Sequence, residues 1–92
     1  MAKVEAFRIA GLYLWFNSSD HRPPHFHVEL PDAWELRIFF LRDPSEMVEK
    51  KWGGEPRRAE LKELLALAEA HRAELMAEWH RRVSVKDPGP ER

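Results

Sequence analysis

Apolar and polar residues alternate with a period of two over the first half of the chain, and this period predicts β-strands. An aromatic-rich run over residues 7–16, bent at Gly11, predicts the first strand. Two further alternating runs, residues 25–30 and 34–41, are separated by a connection of hairpin length, so we expect these strands to pair antiparallel. Residues 47–51 predict a fourth strand, whose charges are typical of a sheet edge.

The second half of the chain predicts one long helix, because from Pro56 onward the apolar period changes to near 3.6 residues. Arg72 is the exception, since on an unbroken helix it would lie in the middle of the apolar stripe. Either its guanidinium reaches solvent or a partner, or the helix kinks or breaks near His71, and we favour the break. The stripe consists of Leu61, Leu64, Leu65, Ala68, Leu75, Met76, Trp79 and Val83.

These elements predict an α+β domain, in which the long C-terminal helix covers one face of a three- to four-stranded antiparallel sheet. The domain spans residues 1–83, and residues 84–92 are expected to form a flexible tail. One helix cannot cover the whole sheet, so Tyr13 or Trp15 together with Phe39 should lie on the open face. A protein partner or a second copy of the chain would then cover that face.

The composition excludes several classes of protein. The chain has 92 residues, 43% of them hydrophobic, no cysteine and a formal net charge of −1. It therefore fits one small folded domain without thiol-based sites, and nonspecific nucleic-acid binding is not indicated. No apolar stretch approaches the roughly 20 residues that span a membrane, and no secretory signal is recognisable, so we expect a cytoplasmic protein. Asparagine is rare, and glutamine and threonine are absent, a bias that fits a thermophilic source.

Histidines cluster in residues 20–28. On a strand, the side chains of His25 and His27 would project from the same face roughly 7 Å apart, close enough to reach one ion. His21 or Asp20 would supply a third ligand and leave positions open, as a catalytic zinc, manganese or non-haem iron site requires. The alternative is an ordinary polar strand face, on which the imidazoles only form hydrogen bonds.

The same histidines indicate a catalytic alternative that needs no metal. His21, His25 or His27 would act as general acid and base on an RNA phosphodiester. Arg22 or Arg37 would stabilise the charge of the phosphate. This hypothesis predicts RNA cleavage that depends on the imidazoles.

A local excess of basic residues surrounds the predicted start of the helix. Such a cluster indicates a contact with an anion or a nucleic acid, or else a solvated surface without a ligand. The cluster consists of Lys50, Lys51, Arg57, Arg58 and Lys62.

The segment Pro23-Pro24-His25-Phe26-His27-Val28 resembles a family of small prokaryotic proteins, the domain of unknown function numbered four-one-six-zero. The resemblance extends over residues 5–82, although residues 41–54 look longer and more charged than in the family. Members are often encoded beside another small protein, in an arrangement similar to toxin–antitoxin pairs. The resemblance therefore implies that function concentrates at His21, Pro23, Pro24, His25, Phe26 and His27.

Two hypotheses of different classes follow. In the first, the chain is an interaction module, one component of a toxin–antitoxin-like pair. It would bind a small protein encoded by a neighbouring gene through the His-Pro loop (residues 17–25) and the open sheet face, including Phe39. In the second, the chain is a divalent-metal protein or an RNA-cleaving enzyme that uses His25 and His27 with His21 or Asp20.

Overall fold

The computed structural model describes residues 2–83, and within this range one antiparallel sheet packs against helices. The sheet contains five strands that lie side by side in chain order. This architecture confirms the α+β class, with one strand more than the three or four predicted and with two consecutive helices instead of one. The elements are β1 (Ala2–Lys3), β2 (Tyr13–Phe16), β3 (Phe26–Leu30), β4 (Trp34–Ile38), a 3-10 helix (Pro44–Glu46), β5 (Val48–Gly53), α1 (Arg58–Ala70) and α2 (Arg72–Arg82).

The first predicted strand is shorter in the structure, where β2 begins only at Tyr13. Residues 4–12 instead run irregularly beside the sheet, and their apolar side chains enter the core. The bend expected at Gly11 is a tight turn, and the φ of 85° there favours glycine. The two-residue strand β1, which was not predicted, pairs with β2 and forms one edge of the sheet.

The strand register gives the sheet two different faces. Val28 lies opposite Leu36 on the apolar face, which we call the core face because α1 and α2 supply the buried side chains packed against it. On the other face, which we call the polar face, His27 lies between Trp15 of β2 and Arg37 of β4. The alternation predicted for residues 25–30 is thus confirmed.

The predicted long helix is broken at His71, as favoured above, so that α1 ends at Ala70 and α2 begins at Arg72. Arg72 also has partners: its Nε donates to the carbonyl of Phe40 (2.7 Å) and its Nη2 to the carbonyl of Arg42 (2.6 Å). The helix break at His71 and the hydrogen bonds of Arg72, which the sequence offered as alternatives, therefore occur together. The apolar stripe is confirmed in its fully buried members, which are Leu64, Ala68, Leu75, Trp79 and Val83.

The edge strand predicted over residues 47–51 is present as β5, and all six of its residues are exposed. It ends at Gly53, whose φ is 94°. A Cβ atom at this position would clash with the backbone of Ala33 and Trp34, so the close approach of β5 to the β3–β4 hairpin requires glycine.

No helix within residues 2–83 has both the length and the apolar character needed to cross a membrane. The tail predicted over residues 84–92 lies outside the described residues.

We predict that Arg72→Ala lowers the free energy of unfolding by about 1–3 kcal/mol, because it removes two hydrogen bonds and leaves carbonyl groups without a donor. Arg81→Ala on the exposed side of α2 is the matched control and should stay within about 0.5 kcal/mol of wild type. Urea unfolding, followed by circular dichroism, measures the free energy of unfolding of both variants. Equal stability of the two variants would contradict the role given to Arg72.

Candidate metal centre at the His-Pro loop

Asp20 fixes the His-Pro loop over the polar face of the sheet. The backbone N–H of Asn17 donates to Asp20 Oδ2 (3.0 Å), and the N–H of Asp20 donates to the carbonyl of Asn17 (3.1 Å). These bonds close a turn typical of aspartate. They bring the carboxylate against His27, and the Asp20 side chain is only 9% exposed as a result.

Strand β3 holds His27 at the centre of the polar face, and the surroundings bury it. Its ring stacks on Trp15, with centroids 5.3 Å apart and planes inclined by 15°. The ring of His25 lies beside it, at a centroid distance of 5.2 Å. The two imidazoles are therefore neighbours, as their spacing in the sequence predicted. They are not displayed to solvent, however, because His25 is 6% and His27 is 2% exposed.

Each ring nitrogen of His27 faces a carboxylate. Nε2 lies 3.0 Å from Asp20 Oδ1, whereas Nδ1 lies 3.7 Å from Glu35 Oε2 and has no hydrogen-bond partner within residues 2–83. A neutral imidazole carries one proton, so one of its nitrogens would present a lone pair to an anionic oxygen. A ring that carries both protons avoids this conflict, and so does a ring whose Nε2 binds a cation.

His25 has a defined tautomer, because its Nδ1 lies 2.8 Å from the backbone carbonyl oxygen of Pro23. A carbonyl oxygen only accepts, so Nδ1 donates and Nε2 of the neutral ring carries the lone pair. Burial lowers the pKa of His25, although the bond to Pro23 and the charge of Asp20 act in the opposite direction. Nε2 lies 3.6 Å from Asp20 Oδ1, so two electron-rich atoms face each other in a buried place.

Three side chains offer ligand atoms that converge on one point. One atom each from Asp20, His25 and His27 lies within 4.8 Å of the other two. A tetrahedral ion with ligands at about 2.0–2.2 Å holds them roughly 3.3–3.6 Å apart, and Asp20 Oδ1 lies 3.6 Å from His25 Nε2 and 3.0 Å from His27 Nε2. Of the four ligands predicted, His21 alone is outside the cluster, and its side chain is exposed.

An open pocket of about 370 Å³ leads from this cluster to solvent. Phe39, predicted to lie on the open sheet face, is 7% exposed and forms part of the pocket wall instead. It is buried because its ring contacts His25 on one side, at a centroid distance of 4.9 Å, and the guanidinium of Arg42 at 4.2 Å. The pocket also brings together the predicted residues His21, Arg22, Pro23 and Arg37.

Not every motif residue reaches this pocket. Phe26 is fully buried on the core face, so its side chain belongs to the core and offers no surface to a partner. Pro24 is half-buried and does not line the pocket. Trp79, predicted as a core residue, is in the core but also contacts the ring of His25, at a centroid distance of 5.7 Å.

Sequence reasoning missed the residues that surround the imidazoles. Trp15 and Glu35 occupy polar-face positions of the strands next to β3, so the alternation placed them on the correct face. Only the register makes them neighbours of His27. The sequence predicts Asn17 only as a turn residue, but its amide nitrogen also lies 3.2 Å from His27 Nε2.

The basic cluster of the sequence lies elsewhere. All its members are exposed, none lines the pocket, and Lys50 forms an ion pair with Glu55. Arg57 precedes α1 without a side-chain hydrogen bond to the helix. Their predicted contact with an anion or a nucleic acid stays a prediction. The cluster consists of Lys50, Lys51, Arg57, Arg58 and Lys62.

One family model matches the chain over residues 11–80, and its description is Domain of unknown function (DUF4160). The match covers well over half of the chain and includes the whole His-Pro loop, so it confirms the resemblance drawn from the sequence. No curated protein and no solved structure matches the chain.

We predict that Asp20→Ala lowers the free energy of unfolding by about 1–3 kcal/mol in the presence of a chelator, because the N–H of Asn17 and the imidazole of His27 lose their acceptor. Ser18→Ala in the same turn is exposed and serves as the control. Thermal denaturation measures both variants. If Asp20→Ala melts like the control, the carboxylate does not hold the loop.

Proposed function

This chain belongs to the DUF4160 family, and we propose that it binds one divalent transition-metal ion through Asp20, His25 and His27. The observation that carries the proposal is the contact between His25 Nε2 and Asp20 Oδ1, which lie 3.6 Å apart. Since Nδ1 of His25 donates to a carbonyl, the lone pair of Nε2 faces an anionic oxygen. A cation between the two atoms turns this unfavourable contact into coordination.

The outer contacts of both imidazoles support the proposal. Histidines that bind a metal usually donate their other ring N–H to a carbonyl or a carboxylate. Nδ1 of His25 has the carbonyl of Pro23 at 2.8 Å, and Nδ1 of His27 has the carboxylate of Glu35 at 3.7 Å. With an ion on Nε2, His27 carries its proton on Nδ1, and this buried nitrogen then faces an acceptor.

The donor set indicates the kind of ion and its use. Two imidazoles and one carboxylate suit zinc, manganese or ferrous iron, and three protein ligands leave coordination positions for water or a substrate. Structural zinc sites usually have four protein ligands, so the arrangement is typical of a catalytic centre. The pocket beside Asp20 and His25 gives a substrate access to those positions.

We predict that chelator-treated protein binds one zinc or manganese ion per chain and that Glu35→Gln weakens this binding roughly 10- to 100-fold by disturbing the outer contact of His27. Asp20→Asn, which removes a charged ligand but keeps the size of the side chain, should weaken it at least as much. Isothermal titration calorimetry gives affinity and stoichiometry, and a rise in melting temperature with added ion supports them.

Two controls separate the site from general effects. Glu29→Gln changes a carboxylate on the same polar face outside the cluster, and His80→Ala removes an exposed histidine. Both variants should bind the ion as wild type does. Absence of any stoichiometric binding, or equal losses in the controls, would refute the proposal.

A partner-binding role in the cytoplasm, as one component of a toxin–antitoxin-like pair, is the second candidate. The imidazoles are too buried to offer a partner much surface, so this proposal depends on other exposed groups. The observation that favours it is Tyr13, which is 62% exposed on β2 beside an apolar groove of about 700 Å³. Large exposed apolar side chains next to a groove are typical of protein contacts.

We predict for this second candidate that Tyr13→Ser weakens the complex with the small protein of the neighbouring gene about tenfold or more, as expected for a central aromatic contact. Lys62→Ala on α1 is the control. Co-expression followed by calorimetry of the purified components measures the effect. A complex that withstands Tyr13→Ser would exclude this face as the interface.

A further inference from the structure

We infer that the pocket beside the proposed metal centre binds the phosphoryl group of a phosphate ester, held between the ion and the guanidinium of Arg42. This inference rests on the metal site proposed above and names the substrate class of that site.

The charged residues that line the pocket differ in burial. Asp20 and His25 belong to the proposed metal centre, and their side chains are 9% and 8% exposed. The pocket is also lined by Arg22, Arg37 and Arg42, of which Arg22 and Arg42 are exposed. Glu49 lines it too and is paired with Arg37, whose Nη1 donates to it at 2.7 Å. A ligand that enters between the ion and Arg42 meets positive charge on both sides.

Arg42 contacts an aromatic ring instead of a carboxylate among the described residues. Its guanidinium lies 4.2 Å from the ring centre of Phe39, a cation–π contact, and it has no ion pair or side-chain hydrogen bond with any residue in the 2–83 range. Phe39 in turn packs against His25. An exposed guanidinium that stacks on a ring, and whose N–H donors have no acceptor within residues 2–83, is available to bind an oxyanion next to His25, the proposed metal ligand.

The number of oxygens favours phosphate over carboxylate. A terminal phosphoryl group has three non-bridging oxygens, so one can bind the ion while two accept the paired N–H groups of an arginine. A carboxylate has two oxygens, and a bidentate arginine contact uses both. The volume of about 370 Å³ accommodates a phosphoryl group with a modest substituent. The ester is therefore a small phosphate monoester or the terminal phosphate of an oligonucleotide.

The reaction that fits this arrangement is hydrolysis. Water adds to phosphorus as the ester P–O bond breaks, the leaving oxygen takes a proton, and the products are an alcohol and inorganic phosphate. No oxidant or reductant is required. Arg42 would bind the charge on the phosphoryl oxygens, and the open coordination position would orient the water.

The binding test compares two probes of similar shape on metal-loaded protein. Phenylphosphonate, which cannot be hydrolysed, should bind, and benzoate should bind at least about tenfold more weakly, a difference of about 1.4 kcal/mol. Arg42→Ala should weaken phenylphosphonate binding about tenfold or more and leave the affinity for the ion unchanged. Arg42→Lys should bind phenylphosphonate more tightly than Arg42→Ala does, and Arg81→Ala should leave the affinity for phenylphosphonate unchanged. Isothermal titration calorimetry measures the affinity of each variant for each probe.

The activity test uses p-nitrophenyl phosphate and bis(p-nitrophenyl) phosphate. Hydrolysis of the monoester, lost in Asp20→Asn and reduced in Arg42→Ala, supports the inference, and hydrolysis of only the diester overturns the monoester assignment. Competition by a 5′-phosphorylated oligonucleotide but not by its 5′-hydroxyl form would assign the phosphate to a nucleic-acid end, and competition by small monoesters alone would assign it to a metabolite.

The two proposals fail in different ways. If the ion binds but phenylphosphonate does not, or if Arg42→Ala binds the probe as wild type does, the substrate inference is overturned and the metal site stands. If no ion binds, the metal proposal fails and the inference that rests on it fails too.

Discussion

The buried imidazole of His27 determines how the side chains around it on the polar face are arranged. His27 is 2% exposed, so the groups around its two nitrogens come mainly from neighbouring residues. Trp15 covers the ring from the adjacent strand, while Asp20 and Glu35 stand at its two nitrogens. Since Asp20 comes from the His-Pro loop, that loop has to fold back over the sheet. The path of the His-Pro loop and the chemistry of the site thus both depend on the imidazole of His27.

The frame that holds the site is part of the core. Trp79 of α2 packs its ring against Phe16 in the core and against His25 at the site, so one side chain of the helix contacts both. Arg72 at the start of α2 donates to the carbonyls of Phe40 and Arg42. These two bonds connect the start of α2 to the segment that contributes Phe39 and Arg42 to the pocket.

The arrangement of charges at this site combines burial with pairing. The lone pair of His25 and the carboxylate of Asp20 meet where their side chains are 8% and 9% exposed, and burial makes unpaired charge costly. Guanidinium groups line the same pocket, where Arg37 is paired with Glu49 and Arg42 is stacked on Phe39. This arrangement suits the cation and the phosphoryl group proposed above.

The sequence by itself determined the parts of this protein that follow from local periodicity. Alternation fixed the faces of β3 and β4, the stripe at near 3.6 residues fixed the buried side of both helices, and Arg72 within that stripe marked the break. The Pro-Pro-His-Phe-His-Val segment and the spacing of His25 and His27 marked the place of the site. These properties depend only on neighbours along the chain.

Only the tertiary structure decided which distant groups meet there. The sequence did not show that Asp20, and not His21, lies beside the two imidazoles, because that position depends on how the loop closes over the sheet. Nor did it show that Glu35 faces His27, which follows from strand register, or that Phe39 turns into the pocket between His25 and Arg42. Burial of the imidazoles was also hidden from the sequence, since polar residues on a strand normally face water, and here a loop covers them.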